Sequence, residues 1–346
     1  MSTELIACPK CSRKNNPLRA KCMYCGEELP VTDSLKKDLS SQGAKMRERD
    51  PNIQLDPLSQ MTTQFQQTLA GFNVVLLRVE EDKYSMASDA VATLGFNTSS
   101  EIKPLLSLNR PIPVARYQSE AEARLAEGQL QAQQLPALVV KDEELQIDKP
   151  NRRIKKLAIN VIGGTTFTLT IDGFDEEVTI NPSDIVLIVE GRVRFYESDA
   201  TEENTSFGKT AREIIEATEY VSEQILLDIY TRSLENSFRI RAESFDYSGL
   251  GSKMKLTALE NLRVLQGILR DLAKDAIYDT AFKQATKFLE PIWPYTQRQQ
   301  SWGLKRKMIG TGKVATRSVH YKDNELQFSR YSRLYYKLLS NSAGEK

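Results

Sequence analysis

The sequence predicts an α+β chain of several domains, and three observations predict it. The chain has 346 residues, more than one ordinary hydrophobic core organises. All four cysteines fall within the first 25 residues, which sets a small head apart from the rest. Beyond residue 70, short β-branched runs alternate with helical periodicity, and beyond residue 150 the strand-type pattern dominates. Hydrophobic residues make up 40% and charged ones 27%, the balance of a folded chain and not of a disordered one. No apolar run reaches the roughly 20 residues that span a bilayer, and MSTELIACPKC is no secretory leader. A soluble, cytoplasmic protein is therefore expected. The single histidine, His320, excludes a His-rich metal centre and weakens every His-based nucleophile. Beside Tyr321 it reads as an ordinary surface or packed residue.

The head occupies residues 1–29. Cys8-Pro-Lys-Cys11 and Cys22-Met-Tyr-Cys25-Gly26 are two CxxC pairs separated by ten residues. Two such turns bring four thiolates to one point with the tetrahedral geometry of a structural zinc ion. Gly26 suits the tight turn after the second pair, and Ser12 stands where glycine often follows the first. Disulfides would need an oxidising compartment that nothing in the sequence indicates, and no thioredoxin-like βαβ pattern surrounds either pair. Cys8, Cys11, Cys22 and Cys25 are thus the expected ligands of one zinc ion, the only cofactor expected. This segment resembles the zinc-ribbon family over residues 5–29. Four thiolates leave the metal no open position, so it would hold a fold and do no chemistry. So small a segment should be unfolded without its metal.

Residues 30–70 are rich in Ser, Gln and mixed charge, with no lasting period, and read as a flexible linker with a short helix near Leu58–Leu69. The next module, 71–142, has a legible order. Phe72–Val79 is a strand. A helix capped by Asp82 carries Met86, Ala87, Ala90, Val91 and Leu94 on one face and ends at Gly95. A second short helix starts at Ser99 or Ser100 with Ile102, Leu105 and Leu106 inward. Pro111–Tyr117 is a strand, Ser119-Glu-Ala-Glu122 opens a helix as a capping box, and Ala137–Lys141 is a third strand after Pro136. The β-α-α-β-α-β order gives a compact sandwich with helices on one sheet face.

On "FNVVLL", "AVATLGF", "EIKPLL" and "SEAEARLAEGQLQAQQLPALVV", this stretch resembles the C-terminal domain of the bacterial ribosomal stalk protein. The resemblance implies that fold, and it implies contact with translational GTPases through the first two helices. In that family those helices carry lysines and a Gly-Leu-Gly-Leu turn. Here Leu94-Gly95-Phe96 is what remains of the turn, Asn97–Ser100 replaces much of the basic helix start, and Lys83 and Lys103 stand near the basic positions. The same fold also serves as a generic module.

Residues 150–276 read as an antiparallel β domain with a capping helix. Arg153–Val161, Thr165–Asp172 and Glu177–Ile180 form a meander, and Asp184–Glu190 and Arg192–Tyr196 bend at Gly191. Gln224–Thr231, Ser237–Ala242 and Phe245–Tyr247 continue it. Thr257–Asp271 is an amphipathic helix with Leu259, Leu262, Leu265, Ile268 and Leu269 on one stripe. Six or seven strands before one helix is the order of a pleckstrin-homology-like barrel, and an irregular meander fits as well. Residues 198–222 read as an inserted acidic loop. Gly208-Lys209-Thr210 within it imitates a phosphate-binding loop, but Glu203 stands where that motif needs glycine. Gly310-Thr-Gly312-Lys313 lacks the Ser or Thr after the lysine. A phosphate-handling enzyme is therefore the weakest reading, and a non-catalytic chain is expected.

Residues 277–346 read as a basic helical segment. From 296 onward there are eleven Lys and Arg against three Asp and Glu, interleaved with Trp302, Tyr321, Phe328, Tyr331, Tyr335 and Tyr336. Arg298, Lys305, Arg306, Lys307, Lys313 and Arg317 are candidate nucleic-acid contacts, since cations neutralise phosphates and aromatic faces stack on bases. The opposing reading packs Phe328, Tyr331, Leu334, Tyr335 and Leu338 on a core as one helix face and pairs the arginines with carboxylates. The formal net charge of +1 hides +2 over residues 1–30, −9 over 31–295 and +8 over 296–346. Two functions follow as expectations. The first is a zinc-binding adaptor without catalysis, engaging protein partners through the head and the stalk-like module. The second is a nucleic-acid- or ribosome-associated protein using the head and the basic tail.

Overall fold

The computed structural model describes residues 6–15, 70–161, 164–174, 176–204, 212–305 and 314–344. Cys22, Cys25, Gly26, residues 30–69 of the linker with the short helix placed near Leu58–Leu69, Gly208-Lys209-Thr210, Arg306, Lys307 and Lys313 lie outside them. The chain is mixed α/β. Its contacts gather into two compact units, each built from separate segments: residues 1–68, 151–189 and 226–279 form one, and residues 69–150, 190–225 and 280–346 form the other.

In the first unit a short antiparallel hairpin joins β1 (Ile6–Ala7) to β2 (Lys14–Asn15). The strands β6 (Arg152–Asn160), β7 (Thr166–Ile171) and β8 (Glu177–Ile180) form the expected meander. Along β7 burial alternates, with Phe167, Leu169 and Ile171 inward, as a sheet with one core face requires. The start of β9 (Ile185–Asn204), the end of β10 (Arg212–Thr231), β11 (Ser237–Arg241) and β12 (Ile277–Asp279) complete the strands.

Two of the pairings in this unit correct the purely antiparallel expectation. β11 runs parallel to β6, and β12 runs parallel to β9. Parallel neighbours need a long crossover, and the chain between β6 and β11 supplies it. The expected strand at Phe245–Tyr247 is instead a pair of 3-10 turns touching β6 through one parallel bridge, Lys156 to Asp246. Helix α4 (Ala258–Leu272) packs on these turns with Leu262, Leu265 and Leu269 buried. Thr257 and Glu260 close its first turn as a reciprocal capping box.

The second unit contains the β-α-α-β-α-β order: β3 (Phe72–Leu76), α1 (Tyr84–Ala92), α2 (Ser99–Leu106), β4 (Ile112–Tyr117), α3 (Glu120–Ala132) and β5 (Ala137–Lys141). The sheet order is β4-β3-β5, with both pairings antiparallel. Val74, Val75 and Leu76 of the central strand are buried with Ala87, Val91, Ile102, Leu105, Ala123 and Leu130 of the three helices. Met86, expected inward, is 40% exposed. Ser119 occupies the N-cap of α3 without a side-chain capping bond, whereas Thr98 and Glu101 form a capping box at α2.

Three further expectations fail in this unit. The stretch 198–222 is not an inserted loop. Its described residues continue β9 to Asn204 and begin β10 at Arg212. Nor is the C-terminal segment wholly helical: α5 (Phe282–Leu289) precedes the hairpin of β13 (Thr296–Lys305) and β14 (Val314–Asp323), and α6 (Glu325–Gly344) follows. β14 pairs antiparallel with β9 from Val314–Asn204 to Asp323–Phe195. The basic tail thus lies strand to strand against the acidic stretch of the middle of the chain. Gly191 makes no bend either. β9 runs through it unbroken, and the position takes glycine because a Cβ there would strike the Phe328 ring of α6.

α6 anchors the tail to the module by buried polar groups as well as apolar ones. Phe328, Tyr331 and Leu334 face inward, and Phe328 meets Phe282 of α5 edge-on at 5.1 Å. Arg330 reaches Asp142 at 3.6 Å, and Arg116 binds the same carboxylate at 2.6 Å. Asn73 of β3 donates to Asp142 at 2.8 Å and accepts from the Trp293 indole at 2.8 Å. Tyr335 donates its hydroxyl to the Pro111 carbonyl at 2.8 Å. Among the described residues no helix is long and apolar enough to cross a membrane.

Candidate functional site

Cys8 and Cys11 sit on the turn of the β1–β2 hairpin. The Cys8 amide donates to the Arg13 carbonyl at 2.9 Å, and the Ser12 amide donates to the Cys8 carbonyl at 2.9 Å. Ser12 takes the left-handed conformation, φ 56°, which turns the backbone sharply after the second cysteine. Glycine would adopt it without the Cβ penalty of about 1 kcal/mol. Both cysteines belong to this one turn, Cys8 at 2% exposure and Cys11 half-buried. Arg13 of the same turn donates to the Lys255 carbonyl. Soft sulfur donors from a CxxC turn are the ligand type that a tetrahedral thiolate site uses. Among the described residues no group of three or more metal-binding side chains occurs, and Cys22 and Cys25 lie outside them.

The candidate nucleic-acid residues separate. Arg298 lies on β13, where it pairs with Asp323 at 3.4 Å and stays 55% exposed. Lys305 ends β13, and Arg317 lies on β14 opposite Trp302. Four other basic groups of the tail, all among the described residues, are engaged within the unit: Lys322 with Glu290 at 3.2 Å, Lys337 with Glu144 at 3.1 Å, Arg330 with Asp142, and Arg333 with the Lys149 carbonyl. Desolvation pulls Arg330 down to about 10, with Asp142 acting against that fall. It remains charged at neutral pH. His320 is exposed on β14.

Beside Arg298 the sheet carries a hollow of about 180 Å³. Register explains its lining. Glu197 of β9 lies directly opposite Tyr321 of β14, and Tyr321 lies opposite Arg298 of β13. Phe195 lies opposite Asp323. Directly opposed residues share a face, so these five project to one side. On β10, Glu223 turns to the other side, where it holds Arg192 at 3.2 Å and Arg194 at 3.3 Å. Alternation then places Tyr220 and Ser222 on the side of the hollow, which they also line. Glu197 makes no hydrogen bond or ion pair among the described residues, and Tyr220 is 61% exposed.

Phe195, Glu197 and Tyr220 did not emerge as site residues from the sequence, because acidic stretches of this kind are ordinarily solvated loops. The signal that could have found them is the alternation of Arg192 and Arg194 with Val193 and Phe195, continued by the β-branched run from Ile214 to Val221. Comparison with known proteins finds no matching family, no matching curated protein and no matching solved structure.

Proposed function

We propose that this chain is a non-catalytic, zinc-binding adaptor that engages a protein partner through its cysteine head and its stalk-like module. The observation that carries the reading is the Cys8–Cys11 turn, which places both cysteines of one CxxC pair at the turn of a hairpin too small to have a core of its own. Cys8, Cys11, Cys22 and Cys25 would hold the ion, and the ion would supply the cross-link that the head cannot obtain from burial. With four sulfur ligands there is no open coordination position, so the head offers a surface and not a reaction centre. The β-α-α-β-α-β order supports the likeness of 71–142 to the stalk domain. Lys103 of α2 is exposed on the helical pair that the resemblance assigns to partner contact.

The nucleic-acid reading has less support, because Arg298, Lys322, Arg330 and Lys337 each have a carboxylate within the same unit. Two measurements test the proposal together. Reduced, purified protein should contain about one zinc per chain and lose it in Cys8→Ser. Affinity capture with the intact chain should recover a protein partner that is lost when residues 1–29 are removed. A reduced protein without zinc overturns the metal reading. Capture unchanged by removal of the head overturns its role as a docking surface. Binding to single-stranded RNA that falls steeply with salt and disappears on removing 296–346 would favour the nucleic-acid reading instead.

A further inference from the structure

The hollow on the β13-β14-β9-β10 face goes beyond the adaptor reading and shares no residue with the cysteine head. Four aromatic side chains line it: Tyr196, which packs on the Tyr295 ring at 6.2 Å, and, from three strands, Phe195, Tyr220 and Tyr321. Among the described residues, none of the last three rings packs against another aromatic ring. All three border the hollow, and Tyr220 is 61% exposed. The charges on the same side are Glu197, Arg298 and Asp323, and the last two pair at 3.4 Å. Asp323 also accepts the Glu325 amide at 3.1 Å. Lys322 contributes to the rim, but its ammonium lies with Glu290 and over the Tyr295 ring at 4.6 Å. The uncompensated group is thus one carboxylate, Glu197.

Aromatic faces are electron-rich and attract a cation within about 6 Å of the ring centre, most strongly when the cation sheds little water. An alkylated ammonium satisfies both conditions, since its methyl groups lie against the rings and its charge is weakly hydrated. Glu197 adds a fixed negative charge at the same place. A phosphate would meet that carboxylate as a like charge, and a neutral aromatic guest would make no use of it. We propose that this hollow binds a small quaternary ammonium of the choline type.

The test uses the full chain and titrates it with choline and with 3,3-dimethylbutan-1-ol, the uncharged carbon analogue of the same shape, following tyrosine fluorescence or NMR shifts. Choline should bind, and the alcohol should bind at least tenfold more weakly. Tyr220→Ala should weaken choline by about two- to fivefold, the contribution of one exposed cation–π contact. Glu197→Gln should also weaken it, and Tyr220→Phe should keep it. Tyr220 is exposed, so its replacement leaves the fold intact even if Tyr321→Ala fails to fold. A trimethyllysine peptide should bind no more tightly than choline, and clearly tighter binding of the peptide would overturn this choice of guest. Equal binding of the alcohol, choline binding indifferent to Tyr220→Ala, or preferential binding of single-stranded oligothymidylate would overturn the proposal. None of these results bears on the zinc content, so the two readings fail separately.

Discussion

Replacing Asp142 by alanine should be among the most damaging single changes in the second unit. The Asp142 side chain is 1% exposed and receives Arg116 through two nitrogens, at 2.6 and 3.1 Å, together with Asn73 at 2.8 Å. Arg330, also 1% exposed, stands 3.6 Å away. Removing the carboxylate leaves a buried guanidinium on α6 with its counter-charge gone. Breaking a buried pair from one side costs about 3–5 kcal/mol, a large part of the roughly 5–15 kcal/mol that holds a typical domain. Denaturant unfolding followed by tryptophan fluorescence is a suitable assay, because the Trp293 indole donates to Asn73 in the same network. The unfolding free energy of the second unit should fall by that amount, with the midpoint moving to lower denaturant. Asp142→Leu combined with Arg330→Met should recover much of the loss, since an apolar pair of similar volume needs no desolvation of charge. Arg116 keeps a 10% exposed side chain through which to reach water. A cost below about 1 kcal/mol for Asp142→Ala, the value of a surface ion pair, would refute the view that α6 is anchored to the module through this carboxylate.

Gly191→Ala should destabilise by about 1–3 kcal/mol, the range of core overpacking, because its Cβ would overlap the Phe328 ring. Adding Phe328→Leu should relieve the strain, and thermal melts of the two variants check it. Hydrogen bonds from the Thr257 hydroxyl and amide hold the Glu260 carboxyl below the ordinary carboxylate range. A depressed pKa means that the folded state binds fewer protons, so this support for α4 is present above about pH 4.3, the ordinary glutamate value, and is lost as pH falls through the folded pKa. NMR titration of Glu260 should show the low value in the parent chain and a return toward normal in Thr257→Ala, which should also cost about 1 kcal/mol of cap stability.

The local elements were legible where local chemistry decides them. The apolar run at Phe72, the glycine at 95 and the threonine cap before α4 each fix an element from neighbouring residues, and the β-α-α-β-α-β order followed from such signals. The long-range pairings were not legible. β9 finds β14 more than 110 residues later, and nothing in the acidic run 198–204 announces a strand, because its charged side chains are tolerated once a basic strand lies beside it. Gly191 reads as a turn in sequence and is a close approach in the structure, since its partner Phe328 lies on a distant helix. The parallel pairing of β11 with β6 likewise depends on a crossover that no periodicity encodes. At the candidate metal site, the described residues hold the Cys8–Cys11 turn with its left-handed Ser12, and the second CxxC pair lies outside them. The aromatic hollow became visible only when register placed Phe195, Glu197 and Tyr321 on one face.

X-ray absorption at the zinc edge of the purified, reduced chain tests the central claim most directly. A structural, closed site gives four sulfur ligands at about 2.3 Å and no oxygen in the first shell. That spectrum should vanish with the metal in Cys8→Ser. Three sulfurs with an oxygen at about 2.0–2.2 Å would reveal an open position and contradict the non-catalytic reading. A spectrum without zinc–sulfur scattering would contradict the ribbon itself.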